Sequence, residues 1–155
     1  MAALRRVALV SLVCGLAWSA IVIALHFSTL WWISRSTSDA IAMISTLVAG
    51  VWLSPVIGLL AGLSSRFFPA QKRVRGAVFA LVSLYATAAL YGLGSQCFRI
   101  LATGATRPLW EGPYLTLYGL TLYGYFVILW PLAYVNHWFV SRLWHHETFR
   151  DALTA

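Results

Sequence analysis

Four long apolar runs dominate the chain. They cover about 7–27, 40–63, 77–100 and 114–140. Each reaches at least about 20 residues, the length a helix needs to cross a hydrocarbon core of about 30 Å. A transmembrane strand would alternate in polarity over about 10 residues, and these runs do not. A backbone in lipid must satisfy its own hydrogen bonds, which leaves helices. The pattern therefore predicts an all-α integral membrane protein, a four-transmembrane-helix antiparallel bundle in a single domain over 1–155. A short amphipathic tail, 141–155, follows. The first run continues to Phe27, past the usual h-region of a cleaved signal, and reads as a retained helix.

Punctuation agrees with these limits. Ser36-Thr37-Ser38-Asp39 offers N-cap oxygens for the second helix. Phe67-Phe68-Pro69 stops it. Thr103-Gly104 ends the third, and Gly112-Pro113 precedes the fourth. Pro55 and Pro131 predict bends within the second and fourth. Short connections favour up-down neighbours.

Composition sharpens the class. Of 155 residues, 61% are hydrophobic and 10% charged, against roughly 25% charged in a soluble domain. That excludes an ordinary globular enzyme, a disordered tail and a disulfide-rich secreted domain. The net charge of +7 has a topological explanation and does not imply nucleic acid. Eight of the eleven basic residues, Arg5, Arg6, Arg66, Lys72, Arg73, Arg75, Arg142 and Arg150, flank one side of the bundle. Arg35, Arg99 and Arg107 fall on the other. The positive-inside rule then places both termini and the central loop in the cytoplasm, with a bacterial inner membrane as the expected setting. Trp31, Trp32 and Trp110 mark the outer interface, and Trp138 and Trp144 the inner. The basic loop can also meet anionic lipid headgroups.

Small residues suggest where helices meet. Thr46, Gly50, Ser54, Gly58 and Gly62 recur every four residues, and Ser11, Gly15 and Ser19 form a shorter stripe on the first helix. Such stripes allow close backbone approach. They fit pairing of helices 1 and 2 within the chain, or a seam between copies. On the fourth helix the tandem repeat 115–119 and 120–124 places Tyr114, Tyr118, Thr121 and Tyr125 on one face. That face is either a polar track or aromatic packing.

Candidate chemistry is sparse. Asp39, Glu111, Glu147 and Asp151 are the only acids, and none lies inside an apolar run. Proton-coupled carriers and diiron or aspartyl membrane enzymes place such groups within the bilayer. Cys14 and Cys97 match no zinc or redox spacing. Gln96, Arg99 and Arg107 form a candidate outer anion or headgroup site, with Glu111 or Asp39 as an ion-pair partner for Arg99. His26 and His137 are candidate single ligands for a chlorin or heme; a bis-histidine heme is disfavoured because the two lie near opposite ends of the bundle. The adjacent His145 and His146 point about 100° apart on a helix and do not share a metal simply. No Walker loop, HExxH or dinucleotide fingerprint is present.

These residues favour a non-enzymatic accessory, assembly or protective subunit that packs beside another membrane protein, or self-associates, among membrane lipids. A small oligomeric carrier or channel with a path along helix 4, and a lipid-handling or cofactor-binding subunit, are the alternatives.

Overall fold

A computed structural model describes residues 2–33, 37–69, 71–104 and 106–154, apart from the side chains of 30, 33, 37–47, 49 and 147–154. Thr46, Asp39, Arg35, Glu147, Arg150 and Asp151 therefore lie outside the described side chains, and so do the cap oxygens of 36–39.

The described chain is all-helical. Its elements are α1 (Ala2–Ile33), α2 (Thr37–Ser64), a 3-10 turn (Ser65–Phe67), α3 (Arg73–Thr103), α4 (Glu111–Leu122) and α5 (Tyr125–Thr154). Three spans, Ala2–Thr29, Gly50–Phe67 and Arg73–Thr103, are long and apolar enough to cross a membrane. The α4–α5 pair makes a fourth if it counts as one span.

This corrects the reading of 114–140 as one continuous helix. The chain turns by 97° between Leu122 and Tyr125. Gly124 adopts φ +68°, a left-handed conformation that glycine enters without a Cβ penalty. The Tyr123 N–H donates to Gly119 O at 3.1 Å and the Gly124 N–H to Thr121 O at 3.2 Å, which closes α4 as a cap closes a helix. With 12 residues, α4 is about 18 Å long and cannot cross a bilayer alone. The C-terminal segment is corrected too: 141–154 continues α5 and is not a separate tail.

Other boundaries have local causes. Phe68, just before Pro69, is extended (φ −68°, ψ 125°), because proline disfavours a helical residue before it. Gly104 (φ 66°) caps α3, its N–H donating to Ile100 O at 2.8 Å.

Packing relies on absent side chains. Gly15 of α1 and Gly58 of α2 meet backbone to backbone, and a Cβ on Gly58 would lie 2.7 Å from the Gly15 carbonyl carbon. Gly62 rests on Ser11 in the same way. Gly50, three turns along, faces Tyr91 of α3. The α2 stripe is thus divided between two neighbours of the same chain. A second such contact, Gly92 of α3 against Gly112 of α4, holds the short helix on the long one. The buried core, including Trp18, Ala61, Ala80, Leu84, Leu120, Leu129 and Ala133, draws on all five helices.

Candidate functional site

The most connected polar group is His137, which is 2% exposed. Its Nδ1 lies 2.8 Å from Ser65 Oγ, beyond the end of α2, and its Nε2 lies 2.9 Å from Ser83 Oγ on α3. Ser65 Oγ is also 3.3 Å from Ala61 O. One tautomer satisfies every group: Nδ1–H donates to Ser65, Ser65 donates to Ala61 O, and Ser83 donates to Nε2. Phe68 stacks on the imidazole (6.1 Å, 18°) and Phe79 meets it edge-on (5.4 Å, 79°). This is a clamp joining three elements. Both ring nitrogens are engaged, so His137 as placed offers no lone pair to a chlorin or heme.

Between the helices lies a cavity of about 50 Å³, lined by residues of all five. Most of its wall is apolar, with Trp18, Leu84 and Leu129 among the lining. Its polar wall includes Ser19, His26, Tyr91 and Tyr125. The Tyr125 hydroxyl donates to Leu25 O at 3.3 Å. His26 meets the Tyr91 ring edge-on at 6.5 Å. Ser19 and Tyr91 are only 3% and 6% exposed, and neither hydroxyl has a hydrogen-bond partner among the described residues. Buried hydroxyls in proteins are normally paired. Spacing along α1 had marked Ser19 as a packing residue; nothing in the sequence marked Tyr91, whose place depends on the tertiary contact with Gly50.

On the outer surface, Ala20, Ile23, Ala24, Phe27, Val51 and Ser54 line an open groove of about 460 Å³ between α1 and α2. Ile23 belongs to both the groove and the cavity.

The tyrosine track is divided by the bend, which leaves Tyr114, Tyr118 and Thr121 on α4 and Tyr125 on α5. Tyr114 and Tyr118 are half-exposed and stack on each other (6.0 Å, 19°) on α4. Thr121 bonds within its own helix, to Leu117 O at 2.9 Å, and lies 3.2 Å from Tyr85 OH. Tyr125 is beyond the bend and turned to the interior. Tyr114, Tyr118 and Thr121 stay on the one helix α4, and the break at Gly124 separates only Tyr125 from them.

At the candidate outer anion site, two of the three residues engage partners of their own chain. Glu111 pairs with Arg107 at 2.8 Å, one turn away, and not with Arg99. Gln96 is buried and donates to Pro108 O at 3.3 Å, fastening the connection between α3 and α4. No group of three or more His, Cys, Asp or Glu that could hold a metal occurs among the described residues. Cys14 and Cys97 are free thiols, each half-buried.

Comparison of the chain with protein-family models, with curated proteins and with solved structures finds no match.

Proposed function

We propose that this chain is a membrane-embedded protein that works by helix contact, as an accessory, assembly or protective subunit beside another membrane protein. Its basic ends face the cytoplasm, and a bacterial inner membrane is the proposed setting, since cytoplasmic basic loops direct insertion there. The supporting observation is the aromatic face of α4. Trp110, Tyr114 and Tyr118 form an exposed ladder, with ring centroids 6.1 and 6.0 Å apart. Trp110 meets Tyr114 edge-on and Tyr114 stacks on Tyr118, so the rings restrain one another and less side-chain freedom is lost when a partner covers them. Aromatic residues also dominate contact energetics. The small-residue stripes do not supply this surface, because Gly15, Gly58, Gly62 and Gly50 already face helices of their own chain.

A benzophenone side chain placed at Tyr118 in native membranes tests the proposal, with Val82, exposed on α3, as the control site. A discrete protein adduct at 118 and none at 82 is the expected result. Adducts with lipid alone at both positions would refute it.

The central cavity favours a second reading, a lipid-handling subunit. The carrier reading retains only Tyr114, Tyr118 and Thr121 on one helix, since the bend separates Tyr125 from them.

A further inference from the structure

Four exposed cations, Arg66, Lys72, Arg73 and Arg75, gather where one candidate span ends, at Phe67, and the next begins, at Arg73. The buried Phe68 draws this turn against α3: its ring would lie 2.8 Å from a Cβ on Gly76, and it meets Phe79 edge-on at 5.8 Å. Arg66 is thereby held beside the first turn of α3. The contacts of Gly15 with Gly58 and of Ser11 with Gly62 run antiparallel, and the same register carries Arg5 and Arg6 to this end. No acid offsets the charge locally. The chain has no Asp or Glu between Asp39 and Glu111, and among the described residues none of the four cations has an ion-pair partner. The first turn of α3 holds no acid, and cations there oppose the helix dipole. Insertion topology explains the sign of the turn. It does not require three cations to crowd the start of a helix.

We infer that this face is a docking surface for anionic phospholipid. The cations meet the headgroup phosphates, and the two apolar side chains set among them, Phe67 and Val74, meet the start of the acyl chains. Charge complementarity selects an anion. The apolar pair selects a lipid over a soluble polyanion: Phe67 and Val74 are 73% and 77% exposed, and burying such surface is favourable only against something apolar. Position agrees, since the ends of two spans put the face at headgroup depth. Long basic side chains at that depth keep their charge among the headgroups while their stems lie along apolar surface.

The test uses the full chain in micelles, with retained lipid counted by native mass spectrometry. Phosphatidylglycerol is compared with phosphatidylcholine of the same acyl chains. The anionic lipid is expected to bind at least about tenfold more tightly, and Arg66→Gln, Lys72→Gln, Arg73→Gln or Arg75→Gln to lower that preference about fivefold each. The triple variant of Lys72, Arg73 and Arg75 should hold the two lipids equally. Arg107→Gln, at the other end of α3, should change nothing. All four positions are exposed; melting temperature checks the fold, and the single variants keep the test valid if the triple one fails. Phe67→Ser should weaken phosphatidylglycerol, and soluble glycerol phosphate should not displace it. Equal retention of the two lipids by the wild-type chain, or the same loss from Arg107→Gln, would overturn the assignment. Displacement of the lipid by equimolar glycerol phosphate would show a free-phosphate site instead, and displacement by an equimolar deca-glutamate peptide an acidic protein partner; either would overturn it. Lipid retention and crosslinking at Tyr118 read different faces, so each fails or succeeds without the other.

Discussion

His137 and Ser65 are 72 positions apart in the chain and 2.8 Å apart in space. That bond fastens the middle of α5 to the turn that ends α2, and Ser83 completes the clamp from α3 at 2.9 Å. The imidazole is shut in by Phe68 and Phe79, so its replacement opens a void as well as releasing two hydroxyls. His137→Ala is expected to lower stability by about 2–4 kcal/mol. Ser83→Ala should cost about 1 kcal/mol, the scale of a single interhelical hydrogen bond in a membrane protein. Denaturant titration in micelles reads both, and equal small losses would argue against the clamp.

The meeting of Gly15 and Gly58 makes a sharper demand. A Cβ on either residue strikes the other's backbone, so the two helices must part. Gly15→Ala should destabilise by about 1–3 kcal/mol, the range for overpacking a filled interface. Gly119→Ala is the control: its nearest neighbours would be Tyr123 ring atoms at 3.8 Å, and no loss is expected. Thermal unfolding of the two variants side by side decides the point.

Gly124 is required for its backbone. A Cβ there would meet nothing within 4 Å, yet φ is +68°. Gly124→Ala should cost about 1 kcal/mol from left-handed strain alone. Spin labels on α4 and α5 should report a distance change in this variant if the segment straightens.

Much of this architecture is visible in the sequence and some is not. Hydropathy and loop residues find α1, α2 and α3, because length and apolarity are properties of the run itself. The stops at Phe68-Pro69 and Gly104 follow from single-residue chemistry. The break at Gly124 is hidden because the repeat 115–124 presents two glycines in the same local context. Gly119 stays within α4, whereas Gly124 turns left-handed, and only the packing of α4 on α3 and α5 on α1 distinguishes them. The role of His137 is hidden for another reason: its partners lie 72 and 54 residues away. Likewise Gly92 continues the four-residue series Gly76, Ala80, Leu84 and Ala88 that α3 buries, but its contact with Gly112 appears only once α4 folds back along α3.

The ion pair at the start of α4 should matter little. Arg107 and Glu111 are one turn apart, and the arginine is 53% exposed. Glu111→Gln is expected to change stability by less than about 0.5 kcal/mol after solvent screening. Gln96→Ala should cost more, about 1 kcal/mol, since its buried amide holds the Pro108 carbonyl. Unfolding of each variant at low and high salt separates the two: salt dependence should be confined to the Arg107–Glu111 pair.

The proposed contact face is tested most directly by native gel migration of Tyr118→Ala extracted from membranes in mild detergent. The wild-type chain should migrate in an assembly larger than the monomer. Tyr118→Ala should release the monomer while its melting temperature stays unchanged, because this half-exposed ring lies outside the buried core. Identical migration of the two proteins, whether both large or both monomeric, would contradict a partner docked on α4.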